Sequence, residues 1–287
     1  MKIHPFTAIV FSLLLFFMVL SFEHPLYILS ILIFLMVFSW IFDRKTFWTK
    51  ILRCSLYNAL LILFINPLFS TSGKTVLYKS PYIPLLGKIK ITAEALAFGA
   101  TMGLKLICIV FIFFLYGILT DRDDTFVFFS KYAHKMTLMF SMTNNIIHRL
   151  LLDIKRVKEV MILRGVRFEQ KNLWKRIQAY YPLFNVILIS ALEGSIDRAE
   201  ALYSKQYGIQ KRTFYASLQM KKIDYLLNCI HLFLLIVFVL SILKGYGDYQ
   251  FYPSLQAFQK KDFFFLIAVN IPLWMHLATI WGCNYWN

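Results

Sequence analysis

Acidic residues are scarce in this 287-residue chain. Asp and Glu number 15 against 31 Lys and Arg, which leaves a formal net charge of +16. In a soluble protein that imbalance would raise nucleic acid as a partner. The chain carries no nucleic-acid-binding motif, and its cations sit in loops and in one amphipathic segment. They read as positive-inside topology with a basic docking surface, so no nucleic-acid partner is expected. Cysteine is sparse too. Cys54, Cys108, Cys229 and Cys283 are scattered, mostly inside apolar runs, with no metal-ligand spacing and no disulfide framework. They read as small filler hydrophobes. The chain has no internal repeat, no low-complexity tract and no soluble catalytic domain, and no residue pattern asks for a cofactor.

Apolar residues are abundant. They make up 59% of the chain, against about 45–50% in an ordinary soluble domain. The excess is gathered into six blocks, 6–22, 26–42, 54–69, 91–120, 223–243 and 263–281. Each reads as a transmembrane helix, so the expected fold is an all-α polytopic protein of the lipid bilayer. Lys2 before the first block resembles a signal peptide, but no small-residue cleavage site follows. Glu23-His24-Pro25 turns straight into the second block. Arg44, Lys45, Lys50 and Arg53 place the loop at 43–53 in the cytoplasm. Both termini are then expected inside, with the Glu23–Pro25 turn outside. Trp274, Trp281, Tyr285 and Trp286 suit an interfacial aromatic belt.

The loop at 70–90 is expected outside, punctuated by Pro81 and Pro84. It contains Ser72-Gly73-Lys74-Thr75, which suggests a phosphate-binding loop. The earlier glycine is missing, because Leu68 stands five positions before Gly73, and no strand is expected before it. In the fourth block Gly99 and Gly103 sit four apart, a spacing that suits close helix packing. Lys105 lies near mid-helix and is expected to face the bundle interior or to snorkel. The Asp121–Asp124 cluster could serve a membrane-embedded prenyl or lipid transferase that binds magnesium-diphosphate. That chemistry needs a second acidic motif, and Asp197 to Glu200 is the only other cluster. Asp121 and its neighbours read better as the cap and first turn of a helix over 125–135. His134 and His148 read as surface residues.

The segment from 121 to 222 is the part a bilayer could not hold comfortably. It carries 18 Lys and Arg against 9 Asp and Glu. Two amphipathic helices are expected, over 143–165 and 178–208. On the first, Ile147, Leu150, Leu151, Ile154, Val157 and Met161 make one apolar stripe. On the second, Tyr181, Phe184, Leu188, Ala191, Ser195, Ala199 and Leu202 make a stripe that becomes small-sided. Small residues let two helices cross closely. The domains are therefore expected to be 1–120 (membrane), 121–222 (cytosolic) and 223–287 (membrane).

At Met161-Ile162-Leu163-Arg164-Gly165 and at Ala201 to Gly208 the sequence resembles the transmembrane coupling (T) component of energy-coupling factor (ECF) transporters, the CbiQ/EcfT-type family. That family ends each of two cytosolic coupling helices in an Ala-Arg-Gly-type motif. The fit extends to Pro182 near the start of the second helix and to Asn66-Pro67. The resemblance implies that Leu163, Arg164 and Gly165, and Ser204, Lys205 and Gln206, dock on two cytosolic ABC-type ATPases. It implies that Pro182, Ala191, Ser195 and Ala199 belong to the helix crossing. A separate membrane S component would bind the vitamin or transition-metal ion, and ATP would be hydrolysed by the partners. Leu163 replaces the family's alanine and Gln206 its second glycine. Lys205 keeps the charge of the family's arginine but not its planar fork of donors.

Overall fold

The computed structural model describes residues 3–42, 51–69, 73–79, 90–169, 172–209, 218–253, 256 and 260–285. Among them run α1 Pro5–Ser21, α2 Pro25–Phe42, α3 Leu52–Phe69, β1 Val76–Lys79, β2 Lys90–Thr92, α4 Ala93–Leu119, α5 Arg122–Tyr132, α6 His134–Leu163, α7 Leu173–Ser204, α8 Lys222–Leu243 and α9 Lys260–Tyr285. The chain is an all-α polytopic membrane protein with almost no sheet. Each of the six apolar blocks is a helix. The cations at 44, 45 and 50, and Trp286, lie outside the described residues.

By length and composition α2, α4, α7, α8 and the Asp262–Gly282 part of α9 can cross a membrane, whereas α1 and the Leu52–Asn66 part of α3 are apolar but shorter. The 17 residues of α1 span about 25 Å, slightly less than the ~30 Å hydrocarbon layer. α7 qualifies although the sequence marks it as amphipathic. Its stretch 177–192 holds no Asp, Glu, Lys or Arg, and its charges are confined to the two ends.

Two compact units form, Met1–Thr125 with Leu218–Asn287, and Phe126–Ser217. In the first, α4 packs on α1, α2 and α3, while α8 packs on α1 and α9. Phe11, Phe22, Tyr27, Phe34, Phe38 and Phe111 are its largest fully buried side chains. A Cβ at Gly99 would stand 3.1 Å from Asn66 Cβ, and one at Gly103 would stand 3.2 Å from the Ala59 carbonyl oxygen. The two glycines therefore bring α4 and α3 into near backbone contact, as their spacing suggests.

Bonds at the helix ends establish the directions. Ile3 N–H donates to the Leu119 carbonyl at 3.1 Å, and His4 N–H donates to Asp224 Oδ1 at 3.1 Å. The chain start, the end of α4 and the start of α8 therefore lie together. Glu23 and His24 N–H both donate to the Gly247 carbonyl, at 2.8 and 3.0 Å, which gathers the α1–α2 turn and the α8–α9 connection. Phe98, early in α4, meets Phe251 edge-on there at 5.4 Å. Thus α1 and α8 run one way and α4 the other. His24 Nε2 stands 3.8 Å from Asp262 Oδ2 at the start of α9. Burial holds the His24 imidazole below its ordinary value, and the Asp262 carboxylate pulls it the other way.

Lys105 is only 8% exposed, and its Nζ donates to the Leu20 carbonyl at 3.3 Å. Leu20 lies in the last turn of α1, where carbonyls lack intrahelical partners and a cation complements the helix dipole. This charge therefore closes a helix end. Lys105→Met should lower stability by about 1.5–3 kcal/mol, the range for a hydrogen bond to a charged group. Thermal unfolding in detergent is the readout, and Lys105→Arg should retain most of the stability.

The loop expected at 70–90 contains a strand, β1, paired antiparallel with β2, and β2 takes the first two residues of the block expected to be helical from 91. β1 follows Gly73-Lys74-Thr75, and among the described residues no strand leads into that turn. The Glu94 carboxylate accepts the Thr75 N–H at 3.1 Å and the Thr75 hydroxyl at 2.8 Å. An internal anion thus takes both Thr75 donors.

Between 121 and 210, three helix starts differ from the sequence reading. α5 begins at Arg122 rather than at 125, with Asp123 and Asp124 in its first turn. The Asp121 carbonyl just before it accepts the Thr125 N–H at 3.1 Å and the Thr125 hydroxyl at 2.8 Å. Ala133 leaves helical geometry (φ −126°, ψ 56°), so α6 starts at His134 rather than at 143. α7 starts at Leu173 rather than at 178, because the Asn172 side chain accepts the Trp174 N–H at 3.1 Å and caps the helix.

Candidate functional site

The second unit pairs two long helices, α6 and α7. On α6 the shielded row is Met142, Ile146, Leu150, Ile154, Val157 and Met161, while Ile147 and Leu151 are exposed. On α7 it is Leu183, Ile187, Ala191, Gly194, Arg198 and Leu202, again at steps of three and four. Arg198 fits this row by folding its guanidinium over Gly194, with Nη2 3.5 Å from where a Cβ would stand. Of the residues assigned to the crossing, Ala191 lies on this row, whereas Pro182, Ser195 and Ala199 are exposed. Pro182 stands inside α7 and offers no N–H to the Gln178 carbonyl. Tyr181, Phe184, Leu188, Leu192 and Ile196 leave a broad apolar face of α7 uncovered.

Both helices end in the same backbone frame. At the end of α6, Gly165 N–H donates to the Ile162 carbonyl at 2.9 Å and Val166 N–H to the Met161 carbonyl at 3.0 Å. These are the two crossed bonds of a Schellman end. Arg164 is the cap residue and Gly165 has φ +88°. At the end of α7, Gln206 N–H donates to the Tyr203 carbonyl at 2.9 Å and Tyr207 N–H to the Leu202 carbonyl at 3.0 Å. Lys205 is the cap residue and Gln206 has φ +54°. Arg164 and Lys205 therefore occupy equivalent positions, as do Gly165 and Gln206, and Leu163 and Ser204. α8 ends the same way at Lys244 and Gly245, so the frame is a general stop signal. The α8 end is basic and exposed too, with Leu243 76% exposed; the α6 and α7 ends differ in closing the two paired helices of one unit. Leu163 is 87% exposed and Tyr203 83%, and Arg164, Ser204 and Lys205 are exposed beside them. Each end presents one cation and one large side chain to solvent.

Gln206 is the one non-glycine residue at positive φ among the described residues. A side-chain-bearing residue there costs roughly 1–2 kcal/mol. Gln206→Gly should therefore slow amide hydrogen exchange at positions 206 and 207, by a stabilisation of about 1 kcal/mol. Gly165→Ala should speed exchange at the end of α6 by a similar amount. No atom lies within 4 Å of a Cβ placed at Gly165, so that cost is purely conformational.

A cavity of about 430 Å³ adjoins the first end, lined by Lys158, Ile162, Gly165, Val166, Arg167, Phe168 and Glu169. Phe168 is buried against Tyr180 at 5.0 Å between ring centroids, with Lys158 Nζ 5.8 Å from its own centroid. This contact holds the chain leaving α6 against α7. His134 and His148 are exposed. Among the described residues, no three His, Cys, Asp or Glu side chains gather as a metal site.

These observations define a multi-pass membrane protein with a pair of long amphipathic helices whose basic ends are exposed. The chain resembles the transmembrane T component of energy-coupling factor transporters. It is 28% identical over 176 residues to the energy-coupling factor transporter transmembrane protein EcfT of Listeria innocua, covering 58% of this chain and 64% of that protein. With the EcfT protein of Bacillus selenitireducens it shares 24% identity over 170 residues, covering 55% and 61%. With that of Streptococcus equi it shares 29% over 144 residues, covering 47% and 50%. The chain thus spans between half and two thirds of the length of these curated relatives. No protein-family model matches it.

Proposed function

We propose that this chain is the transmembrane coupling subunit of an ECF-type ABC importer. It passes ATP-driven motion from two cytosolic ATPases to a membrane S component that binds a vitamin or a transition-metal ion. The observation that supports this reading is the pair of exposed basic ends that close the two long paired amphipathic helices, α6 and α7. Arg164 and Lys205 each enter a carboxylate-lined groove of an ATPase. A guanidinium in such a groove makes charge-assisted, bidentate bonds with defined geometry. Movement of the grooves then changes the arrangement of α6 and α7, and the uncovered apolar face of α7 passes it on. Residues 1–120 and 223–287 serve as the membrane body and 121–222 as the coupling domain, with both termini in the cytoplasm. The chain itself is not an enzyme.

Affinity purification from native membranes tests this. Two ATPase chains and a small membrane protein should elute with the tagged chain. ATP turnover by preparations free of other subunits, or an eluate without ATPases, would count against it. An impermeant thiol reagent added to intact cells should label a cysteine placed in 73–79 and spare one placed at 164.

A further inference from the structure

Leu119, at the end of α4, stands at the edge of the hydrocarbon layer. Its carbonyl accepts the Ile3 N–H, and the apolar run of α1 begins close by at Phe6. The bond from His4 to Asp224 brings the exposed Lys221 and Lys222 to the same level, and such cations suit the headgroup side of a helix end. Only Thr120 and Asp121 separate α4 from α5, a reach of at most about 7 Å. The Tyr116 and Thr125 hydroxyls, 3.3 Å apart, tie the first turn of α5 to the last turn of α4. α5 therefore starts within the headgroup layer. None of its described side chains is fully buried. Phe128 packs on Phe129 and Tyr132, with ring centroids 5.6 and 5.4 Å apart. Exposed apolar side chains continue past Ala133 into α6, as Phe126, Phe129, Tyr132, Met136, Met139 and Phe140. Tyr132 is 71% exposed and Met139 64%.

We propose that α5 and the first turns of α6 lie along the bilayer surface and bind phospholipid. The aromatic and methionine side chains enter the boundary between headgroups and acyl chains, and Lys131 and Lys135 meet the lipid phosphates. A contiguous exposed apolar surface marks a partner or a membrane, and chain connection decides between them here, because lipid lies beside α5 from its first residue. Phenylalanine on one side and lysine on the other is the composition of a helix lying in the interface plane. Lys131 stands two positions from Phe129, hence on the opposite side of α5. Its long stem lets the ammonium reach the phosphates while the rings stay below. Asp123 and Asp124 do not oppose this, because they sit in the first turn of α5, where the positive helix end offsets their charge. The near end of α6 is thereby anchored while its far end at Arg164 stays in water. This holds whether or not Arg164 docks on an ATPase.

The test uses the full chain alone, in nanodiscs of phosphatidylcholine and phosphatidylglycerol. It carries Cys54→Ala, Cys108→Ala, Cys229→Ala and Cys283→Ala, and one spin label at a time on Phe129→Cys, Tyr132→Cys, Met139→Cys or Arg164→Cys. The ratio of collisions with oxygen to collisions with a water-soluble nickel chelate should be several-fold higher at 129, 132 and 139 than at 164. The depth should match the roughly 5–10 Å of an in-plane amphipathic helix. Phe129→Ser with Tyr132→Ser should bring the label at 139 into water, with membrane expression unchanged. If the labelled chains fail to accumulate, a phospholipid with a photoreactive acyl chain decides, and should form adducts within 126–140 of the unsubstituted chain. Water-like collision ratios at 129, 132 and 139, or no lipid adduct in that stretch, would overturn the proposal. So would shielding that arises only when other proteins are added, which would make this face a protein-docking surface.

Discussion

Arg164→Glu should release the ATPases while the chain still inserts and folds. Arg164 caps α6 from an exposed position, and the bonds that close that helix end are backbone bonds. The side chain is therefore dispensable for the fold. Removing one member of a buried, hydrogen-bonded charge pair at an interface costs about 2–5 kcal/mol, or roughly 30- to 5,000-fold in affinity. Reversal adds repulsion from the groove carboxylates. Lys205→Glu should do less, because an ammonium cannot make the bidentate contact. Lys205→Arg should be neutral or should tighten docking, since the backbone frame beneath it matches that beneath Arg164. ATPase copurification, with membrane expression as the control, separates these outcomes. Full ATPase binding and transport by Arg164→Glu would remove the first helix end from the coupling role.

The second large effect concerns stability. Asp224 is buried and serves two amides at once. Oδ1 accepts from His4 N–H at 3.1 Å and Oδ2 from Lys221 N–H at 2.8 Å. It ties the start of the chain to the start of α8 and places an anion at the positive end of that helix. Asp224→Ala leaves both amides without this acceptor. A loss of about 3–5 kcal/mol is expected from two charge-assisted bonds, read as a lower Tm and faster proteolysis near the amino terminus. Asp224→Asn, which keeps one acceptor oxygen, should fall between. A Tm for Asp224→Ala equal to that of the parent would show that these bonds are not what holds the chain start.

The membrane body was legible because apolar runs of about 20 residues leave few alternatives to a helix. Gly99 and Gly103 were legible for a related reason, since their spacing places them on one face. Lys105 was legible only in part. Sequence shows an isolated charge in an apolar run, but its acceptor is a backbone carbonyl 85 residues away, and carbonyls leave no trace in a residue pattern. The same holds for Glu94, whose donors lie in the turn at Thr75. At the helix ends, Arg164-Gly165 announced the first through the glycine. For the second, the sequence points to Gly208, four residues beyond Ser204, because nothing about glutamine signals a left-handed residue. On α7 the apolar stripe at Tyr181, Phe184 and Leu188 is exposed, and the shielded row runs beside it through Leu183 and Ile187. That helix is apolar nearly all round between 177 and 192, so periodicity had little contrast to work with. Asp224 sits at the edge of an apolar run, where a single polar residue does not disturb a hydropathy reading.

Short-range crosslinking from the two helix ends in native membranes tests the coupling role most directly. In a chain otherwise free of cysteine, Arg164→Cys and Lys205→Cys should each crosslink to an ATPase subunit. The yields should differ between nucleotide-free and ATP-bound membranes. Absence of any ATPase adduct from either position, together with labelling of both by an impermeant reagent outside the cell, would contradict the coupling role.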